Sequence, residues 1–223
     1  MKKQEVLESL KDGLIVSCQA VPEEPHYMEG ITVKFAECAA WAGAKGIRAN
    51  SPEDIRAIKA QVDLPVIGIW KINRNVKDVY LTPNLEAAKA VWEAGAEIIA
   101  VQATHHYRDG GKLAYETIRE IKENIPEALI FADVSTAEDA RIAAEMGADF
   151  VAPTLAGYTK AGAFDKLEIK DAPDYILLRD IVDAVKGTGA RVIMEGKVAT
   201  PEIAVQCLYM GAYAVCRGAE RVT

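Results

Sequence analysis

Lys71 is the first residue whose type and position could support chemistry. It closes the segment 65–71 (PVIGIWK), in which an apolar run without polar alternation follows a proline. Such a run is typical of a strand that is buried on both faces of a parallel sheet. Ligands meet side chains at the carboxyl ends of parallel strands, so a lysine there is a candidate for chemistry. The alternative is a lysine that simply extends from the sheet into water.

Other polar side chains occupy the same position, at the carboxyl ends of the other predicted strands. A purely structural distribution would spread polar residues along the strands, whereas the interiors of these strands are apolar. For Gln19 and Thr154 a structural role is an equally open alternative, and for Lys71 and Glu195 we favour function. The residues at the eight strand ends are Gln19, Arg48, Lys71, Gln102, Asp133, Thr154, Glu195 and Gly218, and of these Gln19, Arg48, Gln102, Asp133 and Thr154 are expected to bind the substrate.

The elements that must position these residues alternate regularly between strand and helix. A weak repeat at 42–47, 94–99, 146–151 and 210–215 joins a glycine at a helix end to an apolar strand. With strands near residues 14, 46, 66, 98, 129, 150, 192 and 214, the pattern predicts an α/β protein that closes into a (β/α)8 TIM barrel. The alternative, an open doubly wound sheet, lacks a GxGxxG motif after the first strand.

We expect residues 1–223 to form one barrel domain. Apolar residues at helical spacing predict an N-terminal lid helix at 3–11, further helices at 28–42 and 85–93, and a helix that starts at the SPED sequence of 51–54. A polar loop is expected at 72–80. Only six residues follow Arg217, which predicts that the eighth helix is missing or truncated and that the chain forms a homo-oligomer, expected to be a dimer.

Composition excludes several classes of function. The net charge is −7 and no basic run is present, so neither nucleic acid nor an anionic membrane is an expected partner. The four cysteines show no metal-ligand spacing and are expected to be buried and reduced in the cytoplasm. We find no signal peptide or membrane anchor pattern. No metal or redox motif is visible, so we expect a reaction without a cofactor.

Two glycine-containing segments near the end of the chain suggest a phosphate site. The sequences MEGK at 194–197 and CRGA at 216–219 each place a glycine just beyond a strand. The loops after strands seven and eight commonly bind phosphate in (β/α)8 barrels. We therefore expect Gly196 and Gly218 to bind phosphate through the backbone, with Lys197 or Arg217 adding charge.

Several segments together resemble the N-acetylmannosamine-6-phosphate 2-epimerase family, (β/α)8 enzymes of sialic acid catabolism, over essentially the whole chain. The resemblance implies that Lys71 and Glu195 are catalytic, that Gln19, Arg48 and Asp133 contact the sugar, and that the glycine loops hold the 6-phosphate. The matching segments are 13–20 (GLIVSCQA), 46–50 (GIRAN), 65–69 (PVIGI) with Lys71, 132–136 (ADVST), 154–159 (TLAGYT), 195–196 (EG) and 200–202 (TPE).

The chain also departs from the usual residues of this family. Ile72 replaces an arginine, Gln102 an aspartate and Pro153 a threonine, and Glu220 lies beside the expected phosphate site. These positions bear on which sugar is bound.

The implied reaction inverts carbon 2 of a 6-phosphorylated N-acyl amino sugar by removing one proton and returning another. A desolvated lysine close to Arg48 gives up its proton readily and can serve as the base, while Glu195 orients it or handles the second proton. Two alternatives stay open. One is a phosphosugar isomerase or lyase in which Lys71 forms a Schiff base or acts as an acid, and the other is a phosphosugar-binding relative without activity.

Overall fold

The eight strands form one closed parallel barrel. A computed structural model describes residues 2–72, 79–108, 110–157 and 172–219. The strands follow one another around the barrel in chain order, and β8 pairs with β1. This confirms the predicted (β/α)8 barrel and excludes the open sheet. The strands are β1 (Leu14–Cys18), β2 (Gly46–Asn50), β3 (Val66–Ile69), β4 (Ile98–Gln102), β5 (Leu129–Asp133), β6 (Phe150–Ala152), β7 (Arg191–Glu195) and β8 (Ala214–Gly218).

One helix precedes β1, and one helix follows each of the first seven strands. The predicted helix at 28–42 begins only at Ile31, because Gly30 before it has a left-handed φ of 76°. The helix at Pro52 starts as predicted, with the Ser51 hydroxyl accepting a hydrogen bond from the Asp54 amide at 3.2 Å. The helices are α1 (Lys3–Leu10), α2 (Ile31–Trp41), α3 (Pro52–Lys59), α4 (Leu85–Glu93), α5 (Glu116–Asn124), α6 (Ala137–Glu145), α7 (Tyr175–Ala184) and α8 (Pro201–Tyr209).

The N-terminal helix α1 closes the amino-terminal end of the barrel. Its apolar face buries Val6, Leu7 and Leu10 against the first residues of the strands. Gly46 at the start of β2 leaves room for it, since a Cβ there would lie 2.7 Å from Leu10 Cδ2. The Tyr213 hydroxyl donates to the Leu7 carbonyl at 2.5 Å. The predicted lid helix therefore seals the end opposite the carboxyl mouth.

The strands are buried on both faces, as their unbroken apolar runs predict. One apolar cluster fills the barrel interior, and a second lies between the strands and the surrounding helices. Ile67 and Ile69 of β3, and Phe131 of β5, belong to the interior cluster. Because side chains alternate along a strand, Lys71 and Asp133, two residues further on, continue this inward-facing series at the mouth.

Of the chain after β8, only Ala219 lies within the described residues. In the described ranges no helix follows β8, and Glu220 lies outside them. Trp41 on α2 is 91% exposed and Tyr209 on α8 is 89% exposed. Most of the predicted loop at 72–80 also lies outside the described residues.

The cysteines are only partly as expected. None of the four forms a disulfide within the described residues, and Cys18, Cys207 and Cys216 are buried. The expectation of burial is wrong for Cys38, which lies on the solvent-facing side of α2 and is exposed. No helix in the described part of the chain combines the length and apolar character that a membrane crossing needs.

Candidate active site

A buried arginine joins three strands at the carboxyl mouth of the barrel. Arg48 of β2 donates from Nη2 to both carboxylate oxygens of Asp133 on β5, at 2.8 and 2.7 Å. Its Nη1 donates to Glu195 on β7. The Arg48 side chain is 2% exposed, Asp133 is 0% exposed, and Glu195 is 15% exposed. Glu195 is therefore the carboxylate of the pair that opens toward the mouth.

Arg48 remains charged although it is buried. Burial by itself would lower its pKa, but the negative charges of Asp133 and Glu195 outweigh burial and raise the pKa above its ordinary value. The guanidinium carbon also lies 4.9 Å from the ring centroid of Phe131, one layer below. A charged plane stacked on an aromatic ring and bound to two carboxylates forms a rigid floor for the site.

Asp133 and Thr154 extend this network to β6. The Thr154 hydroxyl donates to Asp133 Oδ1. Burial raises the pKa of Asp133, Arg48 opposes the rise, and the nearby charge of Glu195 adds to it, so the net shift is upward. The sequence-predicted residues Arg48, Asp133, Thr154 and Glu195 are thus brought into one hydrogen-bonded cluster.

Cys216 is a neighbour of Glu195 that the sequence analysis did not assign to the site. It lies opposite Glu195 in the β7–β8 register and is 1% exposed. Burial, followed by the charge of Glu195, raises the pKa of the Cys216 thiol well above its ordinary value. The signal that could have found it is its position two residues before Gly218 on an inward-facing series of β8.

Lys71 lies beyond the end of β3, in a short irregular extension of the strand. Its backbone amide donates to Oδ1 of Asn50 on β2 at 2.9 Å. On its other side it forms an antiparallel bridge with Leu81. The predicted strand thus ends at Ile69 rather than at Lys71, while the alternation from Ile69 still directs the Lys71 side chain to the mouth.

The two glutamines predicted at strand ends have different environments. Gln19 donates from Nε2 to Ser17 Oγ at 2.8 Å, and its buried Oε1 has no hydrogen-bond partner among the described residues. The buried Nε of Arg48 likewise has no hydrogen-bond partner among the described residues. Buried polar atoms are nearly always satisfied, so a bound ligand or water is expected to meet these two. Gln102, by contrast, is engaged by Tyr80 and Thr104.

The predicted phosphate residues lie in the loops after β7 and β8. Gly196 has a φ of 113° and Lys197 a φ of 57°, so the chain turns sharply after β7. Arg217 donates from Nη1 to the Ala199 carbonyl and so holds this loop. Beyond Gly218, the Ala219 amide donates to the Ser17 carbonyl at 2.9 Å. In the ranges that the structure describes, no three His, Cys, Asp or Glu side chains are placed to hold a metal ion.

The fold and this cluster define a class of protein: a (β/α)8 barrel with ionisable side chains gathered at the carboxyl mouth, suited to acid–base chemistry on a small polar ligand. The particular family follows from comparison with known proteins. The profile of a family described as "Putative N-acetylmannosamine-6-phosphate epimerase" matches residues 32–222, and the chain belongs to this family.

Individual relatives agree with this assignment. A protein of Caldanaerobacter subterraneus subsp. tengcongensis, named "Putative N-acetylmannosamine-6-phosphate 2-epimerase", is 42% identical over 216 residues, covering 97% of this chain and 88% of the relative. A Listeria welshimeri protein of the same name is 39% identical over 213 residues, covering 96% and 88%. The solved structure of the N-acetylmannosamine-6-phosphate 2-epimerase from Clostridium perfringens superposes with a TM-score of 0.84 at 34% identity, covering 95% of this chain and 88% of that chain.

The buried arginine network makes a testable prediction about stability. Arg48→Met would leave the carboxylates of Asp133 and Glu195 without their cation, and breaking a buried ion pair on one side costs about 3–5 kcal/mol in the free energy of unfolding. Urea unfolding followed by circular dichroism measures this loss. Arg56→Met, on the exposed side of α3, is the matched control and should change stability by less than about 0.5 kcal/mol. Equal stability of the two variants would contradict the central role of Arg48.

Proposed function

We propose that this chain is an isomerase that interconverts N-acetylmannosamine 6-phosphate and N-acetylglucosamine 6-phosphate by epimerisation at carbon 2. One observation carries the proposal: in a member of this epimerase family, Glu195 is tied by Arg48 to the barrel mouth toward which the Lys71 strand is directed. Two ionisable groups on different strands are what a reaction with proton removal on one face and proton return on the other requires.

The reaction uses the open-chain sugar, in which carbon 1 is a carbonyl carbon. Neutral Lys71 takes the proton from carbon 2, the electrons of the carbon–hydrogen bond form a carbon–carbon double bond, and the negative charge moves to the carbonyl oxygen. Glu195, which carries a solvent-derived proton at the start of this direction, then gives that proton to the opposite face of carbon 2 and becomes the carboxylate that pairs with Arg48, and the carbonyl re-forms. Exchange with solvent removes the proton from Lys71 and returns one to Glu195 before the next turnover. In the reverse direction the two residues exchange these roles. Donors at the mouth, such as Arg48, stabilise the oxyanion of the intermediate.

The remaining predicted residues serve binding in this proposal. Gln19 has a buried acceptor without a hydrogen-bond partner among the described residues, and Asp133 and Thr154 are hydrogen-bonded to each other, which supports a role for these side chains in contacting the sugar. The loops at Gly196 and Lys197, and at Arg217 and Gly218, provide the phosphate site, because backbone amides beyond β7 and β8 can approach an anion closely.

Three further expectations belong to this proposal. The reaction needs no cofactor, because Lys71 and Glu195 supply both proton transfers. Residues 1–223 act as one barrel domain. The location is cytoplasmic, since cysteines without disulfides are typical of a reducing compartment.

Removing the proposed base should abolish activity. General acid–base groups contribute about 10²- to 10⁴-fold in rate, so Lys71→Ala should lower kcat by at least about 100-fold while the circular dichroism spectrum stays unchanged. The assay is conversion of N-acetylmannosamine 6-phosphate in deuterated water, where label at carbon 2 reports proton transfer directly. Lys34→Ala, an exposed lysine on α2, is the control and should retain full activity. Residual activity of Lys71→Ala within tenfold of the unmodified protein would remove Lys71 from the mechanism.

Glu195→Gln separates proton donation from orientation. The amide cannot carry the second proton but can still accept a hydrogen bond from Arg48. If Glu195 donates the second proton, conversion should fall by about 10²-fold or more, while Lys71 still exchanges the carbon 2 hydrogen of one epimer with solvent. If Glu195 only orients Lys71, exchange and conversion should fall together. Unimpaired conversion would exclude both roles and make Asp133 the next candidate.

The assembly is proposed to be a homodimer that buries the exposed apolar side chains of α2 and α8. Trp41 and Tyr209 are almost fully exposed, and Val205, one turn before Tyr209, is 50% exposed. Large exposed apolar side chains of this kind mark interfaces. Light scattering should give twice the mass of the 24.2 kDa chain, and Tyr209→Lys should shift the distribution toward the monomer. A monodisperse monomer for the unmodified protein would contradict the dimer.

A further inference from the structure

The strands β3 and β4 separate at the mouth of the barrel. Their register joins Ile67 to Ile98 and Gly68 to Ile99, near the amino-terminal end of β4. Beyond these pairs the returning segment 80–82, here termed the wedge, lies between the two strands. The Thr82 amide donates to the Trp70 carbonyl at 2.9 Å, and the Leu81 carbonyl accepts from the Gln102 amide at 3.0 Å. The wedge therefore provides hydrogen-bond partners for backbone groups at the ends of both strands.

The wedge is also built into the barrel core. Leu81 is 3% exposed and belongs to the interior apolar cluster. On the other side of the wedge, the Trp70 amide donates to the Thr82 hydroxyl at 3.1 Å. Thr82 has a φ of 45°, which is uncommon for a β-branched residue and persists only where the surroundings enforce it. Strained positions of this kind are concentrated at functional sites.

Lys71 is paired to the wedge rather than to β4. It bridges Leu81 in antiparallel fashion, and the amide of the following residue, Ile72, donates to the Tyr80 carbonyl at 2.9 Å. From the opposite side, Oδ1 of Asn50 accepts a hydrogen bond from the Lys71 amide at 2.9 Å. The backbone of Lys71 is therefore held between β2 and the wedge, and its position depends on where the wedge lies.

The side chain of Gln102 anchors the wedge to β4. Its Oε1 accepts a hydrogen bond from the Tyr80 amide at 3.2 Å, and its Nε2 donates to Thr104 Oγ1 at 3.1 Å. Gln102 is 3% exposed. This side chain therefore makes one hydrogen bond to a protein group at each end of its amide.

We propose that Gln102 is a positioning residue: it holds the wedge against β4 and thereby sets the position of Lys71 at the mouth. This inference rests on the proposed function of Lys71. A displacement of about 1 Å of a catalytic group can cost about 100-fold in rate, so a single hydrogen bond that locates the wedge has a large effect on turnover. A residue that acts by positioning the wedge should, when it is replaced, affect kcat and leave KM almost unchanged.

The test compares two substitutions that differ in the acceptor. Gln102→Met keeps the length of the side chain but cannot accept from the Tyr80 amide, and kcat should fall at least about 30-fold with KM within threefold. Gln102→Glu retains an oxygen at the same place and should restore kcat to within about threefold. Gln61→Met, an exposed glutamine after α3, is the control for the chemical change and should behave like the unmodified protein.

A second pair of variants tests the contact of the wedge with the end of β3. This pair replaces the first test if Gln102→Met does not fold. Thr82→Ala removes the acceptor of the Trp70 amide, and Thr82→Ser keeps it, so the first should lower kcat and the second restore it. Unchanged kcat in both Gln102→Met and Thr82→Ala, or a rise in KM without a fall in kcat, would overturn the inference. If Lys71→Ala itself retains activity, the proposed function fails first, and that result is distinguishable from failure of the wedge.

Discussion

The buried guanidinium of Arg48, held between two carboxylates, is the interaction on which the mouth of the barrel depends. It joins β2, β5 and β7, three strands that are not neighbours in the closed sheet. A charge with 2% exposure is tolerable only because Asp133 and Glu195 neutralise it and bind its donors. In return, the arginine fixes both carboxylates. A site built in this way needs no reorganisation when a charged intermediate forms.

The division of labour within this cluster follows from burial. Asp133 is fully enclosed and receives hydrogen bonds from Arg48 and Thr154, which suits a structural and binding role. Glu195 shares the same arginine but remains partly open, which suits a group that exchanges protons with a ligand. Cys216 lies in register with Glu195 and brings a neutral thiol rather than a further charge to its side.

The opening between β3 and β4 is filled by the wedge. A closed parallel sheet satisfies every edge with a neighbouring strand, so strands that separate must find other partners. The wedge provides such partners, and Leu81 adds its side chain to the interior apolar cluster. The backbone of Lys71 pairs with the wedge and not with β4.

Much of this protein is determined by the sequence by itself. Eight apolar runs of strand length, four of them preceded by a helix-ending glycine, indicate the barrel because parallel strands buried on both faces carry no polar alternation. The same pattern identifies the residues at the strand ends, because the first polar or charged side chain after an apolar run marks the carboxyl end of that strand. The start of α2 was predicted too early because the left-handed conformation of Gly30 is not visible in hydrophobic spacing.

Only the tertiary structure decided which of these residues act together. The hydrogen bonds of Arg48 to Asp133 and Glu195 join positions 85 and 147 residues apart, and no local pattern encodes a contact over such distances. The role of Gln102 is similar: its sequence position marks a strand end, but its partners Tyr80 and Thr104 are defined by the wedge. Local propensity determines where a strand ends, whereas closure of the barrel determines which side chains meet there.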